Sequence, residues 1–419
     1  MSLSVKNIGK SPEFRSVFTN FSWLLVIKVA GYIFPLITIP YLAKVLGAEG
    51  LGKIAVAASV NVWILTICNW GFMYSATRDL SRCRTDEKQV SSIFSNVLSC
   101  RLTLMMICFV VLLLLIAFIP SFREEKLLFI FTFLSIPGHI LFPEWFFQAM
   151  EEMKYATLFN FFIKLVFTIA VFIFIQEKED YILQPLLLSL GFILTGIVSH
   201  LYIIKRWSVK FQWIPLKRTF QGIKSGVDVF LSVFMHNLYD SFSQIILGYY
   251  CGFKHTGVYD AGTKFYDICT QFFSLLSMAF FPVLSRKIDV HKYYLTVALV
   301  LASLVSFFLF LFAPTIIHWF YPEEFSGAIC VLRILSLSLP FAIMINIYGT
   351  NYLLIVGHEK KLRSIIVWVS LLGFVLSFPL VIYYQAIGVA VLLLLVRFVM
   401  AIALYVASKK IPKSETLND

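Results

Sequence analysis

A chain of 419 residues with 59% hydrophobic side chains, 43 Phe and only 14% charged residues, at a mean hydropathy of +0.85, cannot clothe a soluble surface, which draws on about a quarter of charged residues. The formal charge of +12 raises nucleic acid as a partner. The excess is spread over short loops beside apolar stretches, however, with no basic domain to hold a duplex, so nucleic acid is excluded as a partner.

Twelve apolar stretches, each about 20 residues and so long enough to cross a bilayer, fill the chain at 19–41, 52–74, 93–119, 127–149, 156–175, 181–204, 227–250, 257–284, 295–318, 326–353, 365–384 and 387–407. The fold class expected is an all-α membrane protein of about 12 transmembrane helices in two six-helix lobes. Residues 1–15 lack a short apolar core followed by a small-residue cleavage site, so the first helix is expected to serve as the insertion signal. Of the 35 basic residues, 23 fall on the side that holds the N-terminus, the 205–226 linker and the tail, 6 on the other side and 6 inside spans. That asymmetry predicts that both termini are cytoplasmic.

The second half repeats landmarks of the first at an offset of about 205 residues. Gly47 and Gly52 match Gly252 and Gly257; Leu80, Ser81 and Arg82 match Leu284, Ser285 and Arg286; Glu152 and Lys154 match Glu359 and Lys361. A duplicated six-helix unit follows, and an even number of helices per unit makes the repeat parallel, with a cavity expected between two lobes. The expected division is an N-terminal lobe over 1–204, a basic cytoplasmic linker over 205–226, a C-terminal lobe over 227–407 and a tail over 408–419.

In chain order, the first span is interrupted by Pro35 and Pro40 and carries Lys28. With Arg101 in the third span and Lys164 in the fifth, Lys28 sits eight or nine residues from a cytoplasmic helix start, about 12–14 Å deep at 1.5 Å per residue. Charge in hydrocarbon is costly, so these cations are expected to face a watered cavity or a counter-ion, with snorkelling the alternative for the two lysines. Arg101 keeps its proton and suits bidentate phosphate contacts. In the fourth span Pro143 frees a carbonyl and can kink the helix, and Glu144 beside it can balance Lys28 or Arg101. In the second half His236 and Asp240 fall at i and i+4, and Asp260, Lys264 and Asp267 at i, i+4 and i+7, each set on one helix face. Either the stripe pins helices together or it binds a proton or sodium ion during transport. Arg333 and Arg397 are further buried cations that need partners.

Several motifs fail. Residues 47–54 satisfy G-x-x-x-x-G-K, but Ile54 stands where a Mg²⁺-binding hydroxyl is required, in a hairpin between two spans. The seven Cys form no C-x-x-C pair, which argues against metal and disulfide roles. No catalytic constellation lies on a substantial loop. The chain is therefore expected to be no enzyme and to need no cofactor or metal.

The run Gly31–Gly52, together with Asn69–Arg78 and Pro143–Glu151, resembles the O-antigen flippases of the Wzx type, in the polysaccharide-transporter branch of the multidrug/oligosaccharidyl-lipid/polysaccharide exporter superfamily. The resemblance implies a V-shaped pair of six-helix lobes in the bacterial inner membrane. It also implies a task, moving an undecaprenyl-pyrophosphate-linked oligosaccharide from the cytoplasmic to the periplasmic leaflet by alternating access. Membrane lipids, an O-antigen polymerase and a chain-length regulator are the accompanying partners. On that reading Lys28, Arg101, Lys164, Arg333 and Arg397 with Glu144 form the pyrophosphate and sugar site, with Trp70, Trp145, Tyr41 and Tyr352 as candidate sugar platforms. His236, Asp240, Asp260, Lys264 and Asp267 are the ion-coupling candidates. The alternatives are a small-solute carrier of the major facilitator type, whose Gly-x-x-x-Asp-Arg/Lys-x-Gly loop is missing at Arg78–Arg84, a drug exporter of the same superfamily, and an assembly scaffold, against which the buried cations argue.

Overall fold

The computed structural model describes the backbone over 12–286 and 291–410 and most side chains there; those of 12–33 and of His236, among others, lie outside the described residues. Within them the chain is almost wholly helical and holds no strand. Among the described residues eight helical segments are long and apolar enough to cross a membrane. Some of these hold more than one expected span, because two tight turns leave the helical run almost unbroken. Gly47 (φ 69°, ψ −179°) divides the helix Pro12–Asn69, and Gln385 (φ 53°, ψ −132°) divides Glu359–Lys409. In lipid every backbone group must be satisfied inside the protein, which favours such short turns over open loops.

The fourth span is in pieces: Lys126–Phe133, Ser135–Leu141 and Glu144–Ala149. The break falls at Phe142 (ψ 85°) and Pro143 (ψ 83°). Proline has no N–H to return to the preceding turn and excludes helical backbone from the residue before it. The seventh span is likewise divided into Val227–Asn237 and Asp240–Cys251. The tenth, Ala328–Ile345, runs on into a π-helical stretch, Asn346–Leu353.

The chain forms two compact units. One comprises the residues up to Tyr41 together with Asn61–Leu231, and the other comprises Leu42–Val60 and the residues from Ser232 onward. In the first unit, Ser135–Leu141 crosses Leu183–Trp207 at glycines: a Cβ on Gly196 would lie 2.7 Å from the Gly138 carbonyl oxygen. Without a hydrophobic drive between helices in lipid, association rests on such close backbone approach. An aromatic cluster of Phe94, Trp145, Phe146 and Trp207 fills the neighbouring volume.

In the second unit the 42–60 hairpin packs on the start of Phe253–Arg286. Cβ atoms on Gly52 and Gly257 would lie 1.7 Å from Phe253 O and 1.9 Å from Ala48 O respectively. Positions 48 and 253, like 52 and 257, are 205 apart, so the repeat read in the sequence meets itself here in a reciprocal contact. Its two turn glycines share a left-handed backbone, φ 69° at Gly47 and 94° at Gly252, a conformation that suits residues without a Cβ. Glu324 Oε1 accepts the Ala48 N–H at 3.0 Å and so caps the second arm of the hairpin.

Candidate functional site

Arg101 sits on Glu87–Phe118 and is 5% exposed. Its Nη2 donates to Asn69 Oδ1 at 2.8 Å and to the His139 carbonyl at 3.1 Å, and its Nη1 donates to the Ile140 carbonyl at 3.5 Å. His139 lies four residues before Pro143, so its carbonyl has lost its helical partner, and the guanidinium supplies the missing donor. The break in the fourth span and the buried arginine thus complete each other. Among the described residues no carboxylate reaches ion-pairing distance of Arg101, and its Nε–H has no acceptor. The first unit therefore holds a full positive charge solvated by neutral dipoles.

The second unit solves the same problem with acids and phenols. Lys264 Nζ pairs with Asp260 Oδ1 at 2.8 Å, one turn apart on Phe253–Arg286. Arg397 donates to the Tyr266 hydroxyl and, at 3.1 Å, to Ser338 Oγ, with its Cζ 4.6 Å from the Tyr266 ring centroid. Asp267 interacts electrostatically with Asp240, Lys264, Arg397 and Asp260, and Arg397 with Asp240 and the phenols of Tyr239, Tyr259 and Tyr266. Three carboxylates face two cations, so the ionised network carries one net negative charge. Asp267 is exposed, whereas Asp240 and Asp260 are half-buried.

The remaining predicted residues fall elsewhere. Arg333 donates to the Phe310 carbonyl at 3.3 Å and lies over the Phe310 ring, apart from the Arg397 hydrogen bonds. Lys164 and Glu144 are half-buried in the first unit. The side chains of Lys28 and His236 lie outside the described residues. Trp145 is 4% exposed inside the aromatic cluster and offers no face to a sugar in this conformation. Trp70 is stacked on Phe230 at 3.9 Å, and its indole N–H donates to the Ile223 carbonyl at 2.7 Å. Tyr41 donates to the Ile175 carbonyl at 2.7 Å, and Tyr352 packs on the His291 ring.

The residues that complete both sites were not singled out in the sequence. The His139 carbonyl was findable, because it lies one helical turn before a proline. Nothing local marks Asn69, Tyr266 or Ser338, which come from other helices.

A family model described as "Polysaccharide biosynthesis protein" matches residues 17–288. A protein of Escherichia coli (strain K12) named "Putative O-antigen transporter" is 25% identical over 389 residues, covering 90% of this chain and 93% of that one. A Shigella dysenteriae protein of the same name is 26% identical over 399 residues, covering 93% and 99%. Among solved structures, "Lipid II flippase MurJ, inward closed conformation" superposes with a TM-score of 0.70 at 17% identity, over 95% of this chain and 89% of that one. An outward-facing multidrug resistance MATE family transporter of the MOP superfamily gives 0.62 at 15%, over the whole of both chains. At those identities the structural likeness establishes the fold alone. The chain is a multi-pass, all-helical membrane protein that belongs to the polysaccharide biosynthesis protein family and has the fold of these flippases and exporters.

Proposed function

We propose that this chain is a flippase that moves undecaprenyl-pyrophosphate-linked O-antigen repeat units from the cytoplasmic to the periplasmic leaflet of the bacterial inner membrane, with both of its termini in the cytoplasm. The observation that carries the reading is the uncompensated charge of Arg101, held in the apolar interior of a polysaccharide-family membrane protein. An anionic headgroup entering the first unit meets an attractive field that no carboxylate cancels, and low-dielectric surroundings extend its reach. Arg101 acts through that field and through the shape of the fourth span, since both of its Nη groups already donate to the His139 and Ile140 carbonyls and the Asn69 amide. Lys28 and Lys164 are the cations this reading assigns to direct phosphate contact. Translocation follows by alternating access, with the polyprenyl tail remaining in lipid.

The net negative network of the second unit supports coupling to a cation or proton, with Asp267 and Asp240 as its carriers and Asp260 retained by Lys264. An Asp267→Asn variant that transports with unchanged dependence on the ion gradient removes this part of the reading.

The test of function is complementation of a strain lacking its own flippase, scored for lipopolysaccharide ladders and for lipid-linked repeat units held on the cytoplasmic face. Restoration by the wild type and not by Arg101→Ala is expected. Normal ladders without the protein, or drug resistance conferred in their place, would assign it to the exporters of small solutes.

A further inference from the structure

The arm between the sequence halves, 205–226, carries Lys205, Arg206, Lys210, Lys217, Arg218 and Lys224 and no carboxylate. The helix Leu183–Trp207 ends at Ser208 in left-handed backbone, and the chain then runs without regular structure to the helix Leu216–Ser225. One side of the arm is fastened to the first unit. The Lys210 N–H donates to Ser91 Oγ at 3.0 Å, the Gln212 N–H to Ser95 Oγ at 2.9 Å, and the Cys100 thiol to the Thr219 carbonyl at 3.4 Å. Trp70 holds Ile223 as described above, and a Cβ on Gly226 would lie 2.9 Å from the Trp70 ring. These attachments rise from Ser91 to Cys100, roughly 14 Å along the end of Glu87–Phe118 at 1.5 Å per residue. The arm thus lies along the N-terminal turns of that helix, the end that the charge asymmetry assigns to the cytoplasmic side.

The other side of the arm is uncovered and amphipathic. Phe211, Trp213, Leu216 and Phe220 are 56%, 87%, 68% and 57% exposed. Leu216 and Phe220 share one flank a turn apart, and Lys217 and Lys224, seven apart, share the next stripe. Large apolar side chains left bare beside unopposed cations match a segment that rests in the headgroup boundary of an anionic leaflet.

We propose that the 205–226 arm is a docking site for anionic phospholipid headgroups of the cytoplasmic leaflet. The edge formed by Trp213, Leu216 and Phe220 enters the acyl boundary, and Lys210, Lys217 and Lys224 contact the phosphates. The proposal rests on the cytoplasmic orientation proposed above and on no step of transport, so its failure leaves the transport reading standing.

The full-length protein is placed in nanodiscs of phosphatidylcholine alone or mixed with phosphatidylglycerol, and hydrogen exchange is followed over 209–224. Exchange about tenfold slower in the mixed discs is expected, as for one or two basic contacts at an anionic surface, and the difference shrinks at high salt. The Lys210→Gln/Lys217→Gln/Lys224→Gln variant loses the difference and the corresponding triple arginine variant keeps it, while exchange over 87–118 stays unchanged in both, so the fold is intact. Equal exchange in the two discs overturns the proposal. So does protection that arises only when a short-chain polyprenyl pyrophosphate is added, which would assign the surface to the transported headgroup.

Discussion

Each unit sets an arginine among its helices, Arg101 buried and Arg397 half-buried, and the two treat its charge in opposite ways. Arg101 in the first is solvated by two backbone carbonyls and an amide oxygen, so its charge survives. Arg397 in the second is set among phenols and within the field of Asp240, beside a Lys–Asp pair, so positive charge there is met by counter-ions. Neutral dipoles solvate a charge without removing it, whereas counter-ions remove it. The two units of one chain thus treat an arginine's charge differently, which is the contrast that the proposed anion and cation roles rest on.

The sharpest way to break this comparison is Arg101→Met. It strands two carbonyls and the Asn69 amide in an apolar interior, and a loss of about 3 kcal/mol is expected from hydrogen bonds made by a charged donor, read as a lower thermal unfolding midpoint in detergent. Arg101→Lys should not restore it, because an ammonium lacks the planar fork that reaches His139, Ile140 and Asn69 together.

A smaller loss, about 1 kcal/mol, is expected for Asp260→Asn, which takes from Lys264 the nearer of its two counter-ions in a partly exposed pair. The Asp260→Leu/Lys264→Met double variant should be the more stable of the two. If the double variant were the worse, the pair would be contributing its Coulomb energy in full.

The Arg101→Met loss should shrink by about 1 kcal/mol when Pro143→Ala is added, since an alanine at that position can return an N–H to the His139 carbonyl. Strict additivity in that double-mutant cycle would separate the arginine from the helix break.

The smallest effect lies outside the membrane. Asp86 caps Glu87–Phe118 through the amides of Lys88 and Gln89, and the Gln89 N–H foremost holds its carboxyl below the usual aspartate value. A carboxyl lowered on folding stabilises above its unfolded value, and that contribution is lost as pH falls through the folded one. Hydrogen exchange at residues 88–90 should therefore accelerate below about pH 4, beyond the intrinsic pH effect, in the wild type and not in Asp86→Ala.

Much of the fold is legible in composition, because lipid leaves helices or closed barrels as the available architectures and span length is set by bilayer thickness. The repeat is legible too: Gly47, Gly52, Gly252 and Gly257 carry it, since left-handed turns favour glycine and backbone crossings at 1.7–1.9 Å from a would-be Cβ admit glycine alone. The break at Pro143 follows from one missing N–H.

The sequence by itself thus determined that this is a duplicated helical membrane protein, and it singled out Arg101, which the fold buries. What it could not determine is the partner of each charge. Depth along a helix places Arg101 and Lys164 at one level, but rotation about the axis and the packing of neighbours decided that Arg101 turns to the carbonyls of a broken helix. The stripe Asp260–Lys264–Asp267 was visible as helical spacing, whereas Arg397, Tyr266 and Ser338 were joined only by the crossing of three helices. Only the tertiary structure sets those crossings, because they arise from close packing between residues far apart in the chain.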